Sequence, residues 1–209
     1  MNTERDSVAQ DWLLWLVMNV LGYAGWICSC AIPLVVVADR DNDFAGFLFL
    51  GGQGVVTGLA QWLVIRWRIP RAGWWIFATA IGWPAGLLAG IALLAGSNIA
   101  DDRAGILVLA TLGASLGLAQ WFVLRGKVRN AEWWILVSTA TWAVSGFVGA
   151  TVTTAVNTDP IIVTSAATLA GLLTTWALAE SMRGVVLSWL LHRPVAVGTK
   201  PDEIPSQAQ

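Results

Sequence analysis

Residues Gly58–Trp83 read GLAQWLVIRWRIPRAGWWIFATAIGW, and Gly117–Trp142 read GLAQWFVLRGKVRNAEWWILVSTATW. Twelve of the 26 aligned positions are identical, among them Gln61/Gln120, Trp62/Trp121, Arg66/Arg125, Trp74/Trp133, Trp75/Trp134 and Trp83/Trp142. Each copy is an apolar run, a short basic turn and a second apolar run opened by paired tryptophans. That pattern predicts two membrane helices joined by a tight loop, written twice.

The surrounding sequence has the same character. Of 209 residues, 56% are hydrophobic and 12% charged, against about 25% charged in an average soluble domain. Phe44–Ile65 and Trp74–Asn98 carry no charge at all. Apolar runs of about 20 residues match the ~30 Å hydrocarbon core of a bilayer. The expectation is an all-α, polytopic, tryptophan-rich membrane protein.

Six spans are expected, near residues 12–38, 44–65, 74–96, 104–124, 133–156 and from Ile161 to Leu191. Residues 1–11 are polar, lack the basic start of a signal peptide, and read as a cytoplasmic segment before the transmembrane domain of residues 12–192. Pro33 predicts a kink or early stop in the first helix. The tail 193–209 has no helical periodicity and reads as disordered. Ten of the twelve Lys and Arg residues fall in the N-terminus, the two basic loops and the segment from Arg183 onward. Cytoplasmic loops carry that excess, which puts both termini in the cytoplasm and the protein in the plasma (inner) membrane.

Trp15–Tyr23 lines up with Trp75–Trp83, so the first span joins the repeat, and the unit becomes a helical hairpin used three times. Copies with an even number of spans keep their orientation and are related by rotation about the membrane normal. Whether they close into a bundle or lie in a row is open at this stage.

Candidate residues fall into two groups. Gln61, Trp62, Arg66, Trp74, Trp75 and their counterparts Gln120, Trp121, Arg125, Trp133, Trp134 read as an interfacial, lipid-contacting belt, since indole is apolar with one polar N–H. Trp83 and Trp142 stand eight residues beyond the paired tryptophans, about 12 Å deeper at 1.5 Å per residue, with Tyr23 at the matching place. At that depth they predict an interior layer, with Thr79, Ser138 and Asn19 as partners for the polar tips, or a pocket for a flat apolar ligand. Gln53 and the pair Glu180/Arg183 complete that set. Two registers of the last helix are weighed: one puts Glu180 at the cytoplasmic surface, and is preferred. The other matches Trp189 to Trp62 and Trp121 and puts Glu180 near the midplane, level with Gln53. Small residues at four-residue spacing (Gly54/Gly58, Gly113/Gly117, Ala170/Thr174) predict helix seams.

Cys28 and Cys30 diverge by ~200° on a helix and read as buried thiols. No Walker loop, zinc-protease motif or serine elbow is present. No catalysis, cofactor, metal or nucleic-acid partner is expected. The doubled Gly-Leu-Ala-Gln-Trp-x-Val-x-Arg with its paired tryptophans resembles a group of small, uncharacterised bacterial multi-pass membrane proteins, which brings no established activity. The tryptophan-rich sensory proteins, with five spans and tetrapyrrole or sterol ligands, are similar in composition only. The leading expectation is a non-enzymatic structural, assembly or lipid-associated role, with membrane lipids and other membrane proteins or self as partners. The alternative is a binding protein, carrier or sensor for a small hydrophobic ligand.

Overall fold

The computed structural model describes residues 2–37, 43–97, 99, 103–155 and 161–192, with side chains for 8–25, 52–97, 99, 103–151, 171 and 173–192. The described chain is all-helical: α1 (Asn2–Val37), α2 (Asp43–Ile65), α3 (Trp74–Ala95), α4 (Arg103–Leu124), α5 (Trp133–Ala155) and α6 (Ile161–Leu191). Each helix packs on the one before and the one after, and α1 packs on α6. The six therefore form a closed ring, which resolves the choice between bundle and row.

Two loops shape one end of this ring, and they fold alike. Arg68 and Ile69 donate backbone bonds to Ile65 O, as Lys127 and Val128 donate to Leu124 O. Trp74, Trp75 and Ile76 then donate to the carbonyls three residues back, and so do Trp133, Trp134 and Ile135. Such tight turns satisfy N–H groups that a helix start leaves open, in place of a side-chain cap. Arg71 and Asn130, fifty-nine residues apart, are both left-handed, with φ of 56° and 58°. The geometry tucks Ile69, Ala72, Val128 and Ala131 inward against Ile65, Leu124, Leu187 and Leu190.

Glycine sets the spacing of the hairpins. A Cβ placed on Gly58 would lie 3.0 Å from Ile76 Cα, and one on Gly117 would lie 2.9 Å from Ile135 Cα. A Cβ on Gly54 would press on Ala80, and one on Gly113 on Ser138 O. These are the seams α2–α3 and α4–α5, where backbones meet because nothing stands between them. The third expected pair does not continue the pattern, since Thr174 is exposed and the Ala170 side chain lies outside the described residues. Gly82, Gly86 and Gly90 form a further seam from α3 onto Leu116, Leu112 and Val108 of α4.

Polarity runs inside out. Phe77, Ile81, Leu88 and Ile91 of α3 face outward, as do Leu13, Leu14, Val17 and Leu21 of α1 and Leu136, Val144 and Phe147 of α5. Asn19, Gln53, Gln61, Thr79, Gln120, Glu180 and Arg183 are buried. Water would penalise that surface, whereas hydrocarbon requires it, because polar groups must be satisfied within the protein. Among the described residues, α3, α4 and residues Trp133–Thr151 of α5 are long and apolar enough to cross a membrane.

Several expectations change. Residues 2–11 are helical and continuous with α1, because nothing in Thr3–Gln10 breaks a helix, and α1 runs through Pro33 to Val37. The sixth apolar stretch keeps its expected bounds, a single helix from Ile161 to Leu191 that includes Glu180 and Arg183. The tail 193–209, the connecting residues 38–42 and 100–102, and the side chains of Cys28 and Cys30 lie outside the described residues.

Candidate functional site: two tryptophan layers inside the ring

The upper layer, next to the basic loops, is built from one tryptophan and one acceptor per hairpin. Trp75 Nε1 donates to Gln61 Oε1 at 2.8 Å, and Trp134 Nε1 donates to Gln120 Oε1 at 2.9 Å, each across fourteen residues. Trp15 Nε1 donates to Glu180 Oε2 at 3.0 Å. The three indoles meet: Trp15 lies edge-on to Trp75 and Trp134, with centroids 6.3 and 6.1 Å apart, and Trp75 lies 5.8 Å from Trp134. Edge-to-face pairs of this kind contribute about 0.5–1.5 kcal/mol beyond their buried area.

The acceptors are cross-linked. Gln61 Nε2 donates to Asn19 Oδ1 at 2.9 Å, and Gln120 Nε2 donates to Thr79 Oγ1 at 2.9 Å and to Gln61 Oε1 at 3.1 Å. Arg183 donates from Nη1 to Glu180 Oε1 at 2.5 Å and from Nη2 to Gln120 Oε1 at 2.8 Å. Its guanidinium also lies over the Trp134 ring, 5.0 Å from the centroid. Glu180 and Arg183 are 0% and 1% exposed. A buried charge requires a partner, and here each has one, with neutral hydrogen bonds around it.

Glu180 thus holds the place that Gln61 and Gln120 hold in the other hairpins. The register that puts Glu180 near the midplane is corrected: Glu180 is level with Gln61, not Gln53, and Trp189 does not match Trp62. The reason is that α6 has no loop to close it. It continues as helix, and Leu187 and Leu190 fill the space beside the loop residues Ile69 and Val128.

The expected interfacial belt divides in two. Trp74 and Trp133 are 64% and 51% exposed, whereas Trp75 and Trp134 are 0% exposed. Adjacent residues diverge by about 100° on a helix, so one tryptophan of each pair faces out and the other in. Gln61 and Gln120 are likewise fully buried and serve the inner layer, not lipid. Outside, Arg66 stands over Trp62 and Trp67 at 5.4 and 4.5 Å, and Arg125 over Trp121 and Phe122 at 5.5 and 4.6 Å. Partial burial, and then the nearby Arg71 charge, lower the Lys127 pKa from its ordinary value. The two basic loops therefore adjoin.

The lower layer brings Tyr23, Trp83 and Trp142 together, with Trp176 among them. Tyr23 stacks on Trp176 at 4.3 Å and 12°. Trp83 lies 6.1 Å from Trp176 and 6.1 Å from Trp142, and Trp142 lies 5.1 Å from Trp176. Leu112 and Leu116 pack against the rings. Sequence reasoning missed Trp176. The signal was available in the spacing of Gln61, Gln120 and Glu180, which puts Trp176 one turn deeper on α6.

No partner bonds the Nε1–H of Trp83, Trp142 or Trp176 among the described residues, and Gln53 Oε1 is unpaired as well. The expected partners serve elsewhere. Thr79 and Asn19 donate to the Trp75 and Trp15 carbonyls and accept from the upper glutamines. Ser138 Oγ is itself unpaired. Leaving a buried donor unsatisfied costs about 1–3 kcal/mol, so three together are a real expense to the fold. Glu180 and Arg183, grouped with this layer from sequence, belong to the upper one. Gln53 lies beside Gly54, whose missing side chain leaves room for Trp83, and its amide donates to Thr57 Oγ1 at 3.1 Å.

Comparison of the chain with protein-family models, with curated proteins and with solved structures finds no match.

Proposed function

We propose that the chain is a non-enzymatic, six-span protein of the plasma membrane, built as three helical hairpins with both termini cytoplasmic, and that its role is structural and lipid-associated. The observation that carries the lipid association is the pair of Arg–aromatic platforms, Arg66 on Trp62 and Trp67 and Arg125 on Trp121 and Phe122. They stand at matching places on the outside of the basic end, flanked by the exposed Trp74 and Trp133. A guanidinium held over an indole keeps donors free for a phosphate, and each such cation near an anionic leaflet contributes about 1 kcal/mol. Beneath the platforms, the upper tryptophan layer ties all three hairpins together and holds both platforms in fixed positions.

The test uses nanodiscs. Protein in bilayers containing phosphatidylglycerol should melt higher than in phosphatidylcholine alone, and should retain anionic lipid in native mass spectrometry. Arg66→Gln with Arg125→Gln should remove most of that difference. Equal melting of the unaltered protein in both bilayers would end the lipid reading. Topology is tested separately, with both native cysteines replaced by alanine. Cysteine at Arg68 or Arg129 should resist an impermeant maleimide in intact cells, and cysteine at Ile99 should react; the opposite pattern would invert the orientation.

A further inference from the structure

We infer that the lower aromatic layer is a binding site for a small, uncharged, lipid-soluble molecule bearing carbonyl-type acceptors, of the quinone class. Three features of the layer define that chemistry.

The first is the excess of donors. An indole nitrogen can only donate, and Trp83, Trp142 and Trp176 present three buried N–H groups with no acceptor among the described residues. Trp142 and Trp176 are 4% and 5% exposed, so these groups do not face the outside. A pure hydrocarbon guest would leave all three as they are. A guest with carbonyl oxygens would satisfy them.

The second is charge. The charged residues of the described interior, Glu180 and Arg183, are bonded to each other and to Trp15 and Gln120. Among the described residues, none at the level of the lower rings would neutralise an ionic guest, and an unpaired ion in such surroundings is strongly disfavoured. An uncharged ligand follows.

The third is ring spacing. Sliding a flat ring between two others requires about 7 Å, twice the ordinary contact distance of roughly 3.5 Å. Tyr23 and Trp176 are 4.3 Å apart, and Trp83 and Trp176 are 6.1 Å apart. A guest would therefore meet the ring edges, where the N–H groups are, and not enter the stack, and the rings must shift to admit it, since each Nε1 is closed off in this conformation. Gln53 Oε1, 1% exposed in residue terms and unpaired, adds a single acceptor on the same turn as Gly54. A hydroxyl would occupy it, so the reduced, dihydroxy form of a quinone gains a contact that the oxidised form lacks.

Full-length protein carrying ¹⁵N-labelled indoles, in nanodiscs, provides the test. The probes are 2-methyl-1,4-naphthoquinone and 2-methylnaphthalene, which share a shape and differ in the carbonyls. The quinone should shift the indole N–H signals of Trp83, Trp142 and Trp176 saturably and leave those of Trp15, Trp75 and Trp134 in place. The hydrocarbon should shift none. Trp176→Phe should weaken the quinone about tenfold, the loss of roughly one hydrogen bond. Gln53→Leu should weaken the dihydroxy form more than the quinone. If neither probe moves the lower signals, water alone serves these groups and the site does not exist. If both probes move them equally, the carbonyl chemistry is wrong and the proposal falls with it.

Discussion

Two layers of three indoles, the lower one joined by Tyr23, lie inside one ring of helices, and they differ in how their indole N–H groups are paired. Every indole N–H of the upper layer has a side-chain acceptor, Gln61, Gln120 or Glu180, and none in the lower layer has one among the described residues. Most ring contacts have centroids near 6 Å in both, with Trp142–Trp176 and Tyr23–Trp176 closer at 5.1 and 4.3 Å. The upper layer shows that this backbone can place an acceptor opposite each indole when the sequence supplies one. Eight residues before Gln61 and Gln120, the lower layer has Gln53, whose amide donates to Thr57, and Leu112, so its N–H groups stay unpaired among the described residues. One layer is fully paired, and the other keeps three buried donors unpaired among the described residues.

The largest effect should come from disturbing the charged member of the upper layer. Glu180→Ala leaves Arg183 buried without its counter-ion, a change that costs about 3–5 kcal/mol. Glu180→Gln alone should recover only part of this, because the cation remains. Adding Arg183→Val converts the third hairpin to the Gln and Val found at Gln61/Val64 and Gln120/Val123. That double variant should approach the stability of the unaltered protein in denaturant titrations in detergent. A double variant no better than Glu180→Gln would mean that the third position is not equivalent to the other two.

Much of this was legible in the residues. The doubled stretch predicted the two helix–loop–helix units, their glycine seams and the meeting of Tyr23, Trp83 and Trp142, because period and spacing are local signals. The division of Trp74 from Trp75 was not read, although a 100° step on a helix contains it. The upper layer was harder to see. Glu180 does not resemble glutamine in a motif, and its bond to Trp15 joins the two ends of the chain, 165 residues apart. Ring closure is a long-range fact, and no window of sequence carries it.

Gly117→Leu comes next. Its side chain would meet Ile135 Cα and Ser138 Cβ, and overpacking of this kind costs about 1–3 kcal/mol. Because Gln120 and Trp134 flank this seam, the upper layer should loosen with it, seen as faster exchange of the Trp134 indole N–H. Gly105→Leu is the control, since a Cβ there meets nothing within 4 Å. Equal losses from the two changes would show that the seam is not what holds α4 to α5.

The two layers can be compared directly by the same substitution in each. Trp134→Phe and Trp142→Phe remove equal volume, so their cavity costs should be similar. Trp134→Phe also removes a made hydrogen bond, while Trp142→Phe removes an N–H that had none. The upper change should therefore cost about 1 kcal/mol more, measured as the difference between two thermal or denaturant transitions. Equal costs would mean that the lower N–H groups are paired after all, and the contrast between the layers would disappear.

The smallest effect lies in the loops, where the protein contains its own control. Arg71 and Asn130 occupy the same left-handed corner of the two basic loops. Asparagine tolerates that region because its short polar side chain bonds locally, whereas for a longer side chain the crowding of Cβ and carbonyl costs about 1–2 kcal/mol. Arg71→Asn should therefore stabilise the first loop, by up to about 1 kcal/mol. The same change removes the Arg71 charge beside Lys127, so the Lys127 pKa should rise toward its ordinary value while staying below it, since partial burial is the larger cause of its depression. The sign follows from linkage. A lysine whose folded pKa is lowered is a destabilising group while protonated, and the protein gains stability as pH rises through that pKa. Arg71→Asn should narrow the alkaline window over which this gain occurs. Asn130→Arg is the reverse experiment, adding strain and charge to the second loop together, and it should lower stability. If both substitutions move the melting temperature in the same direction, the left-handed corner is not what separates the two loops.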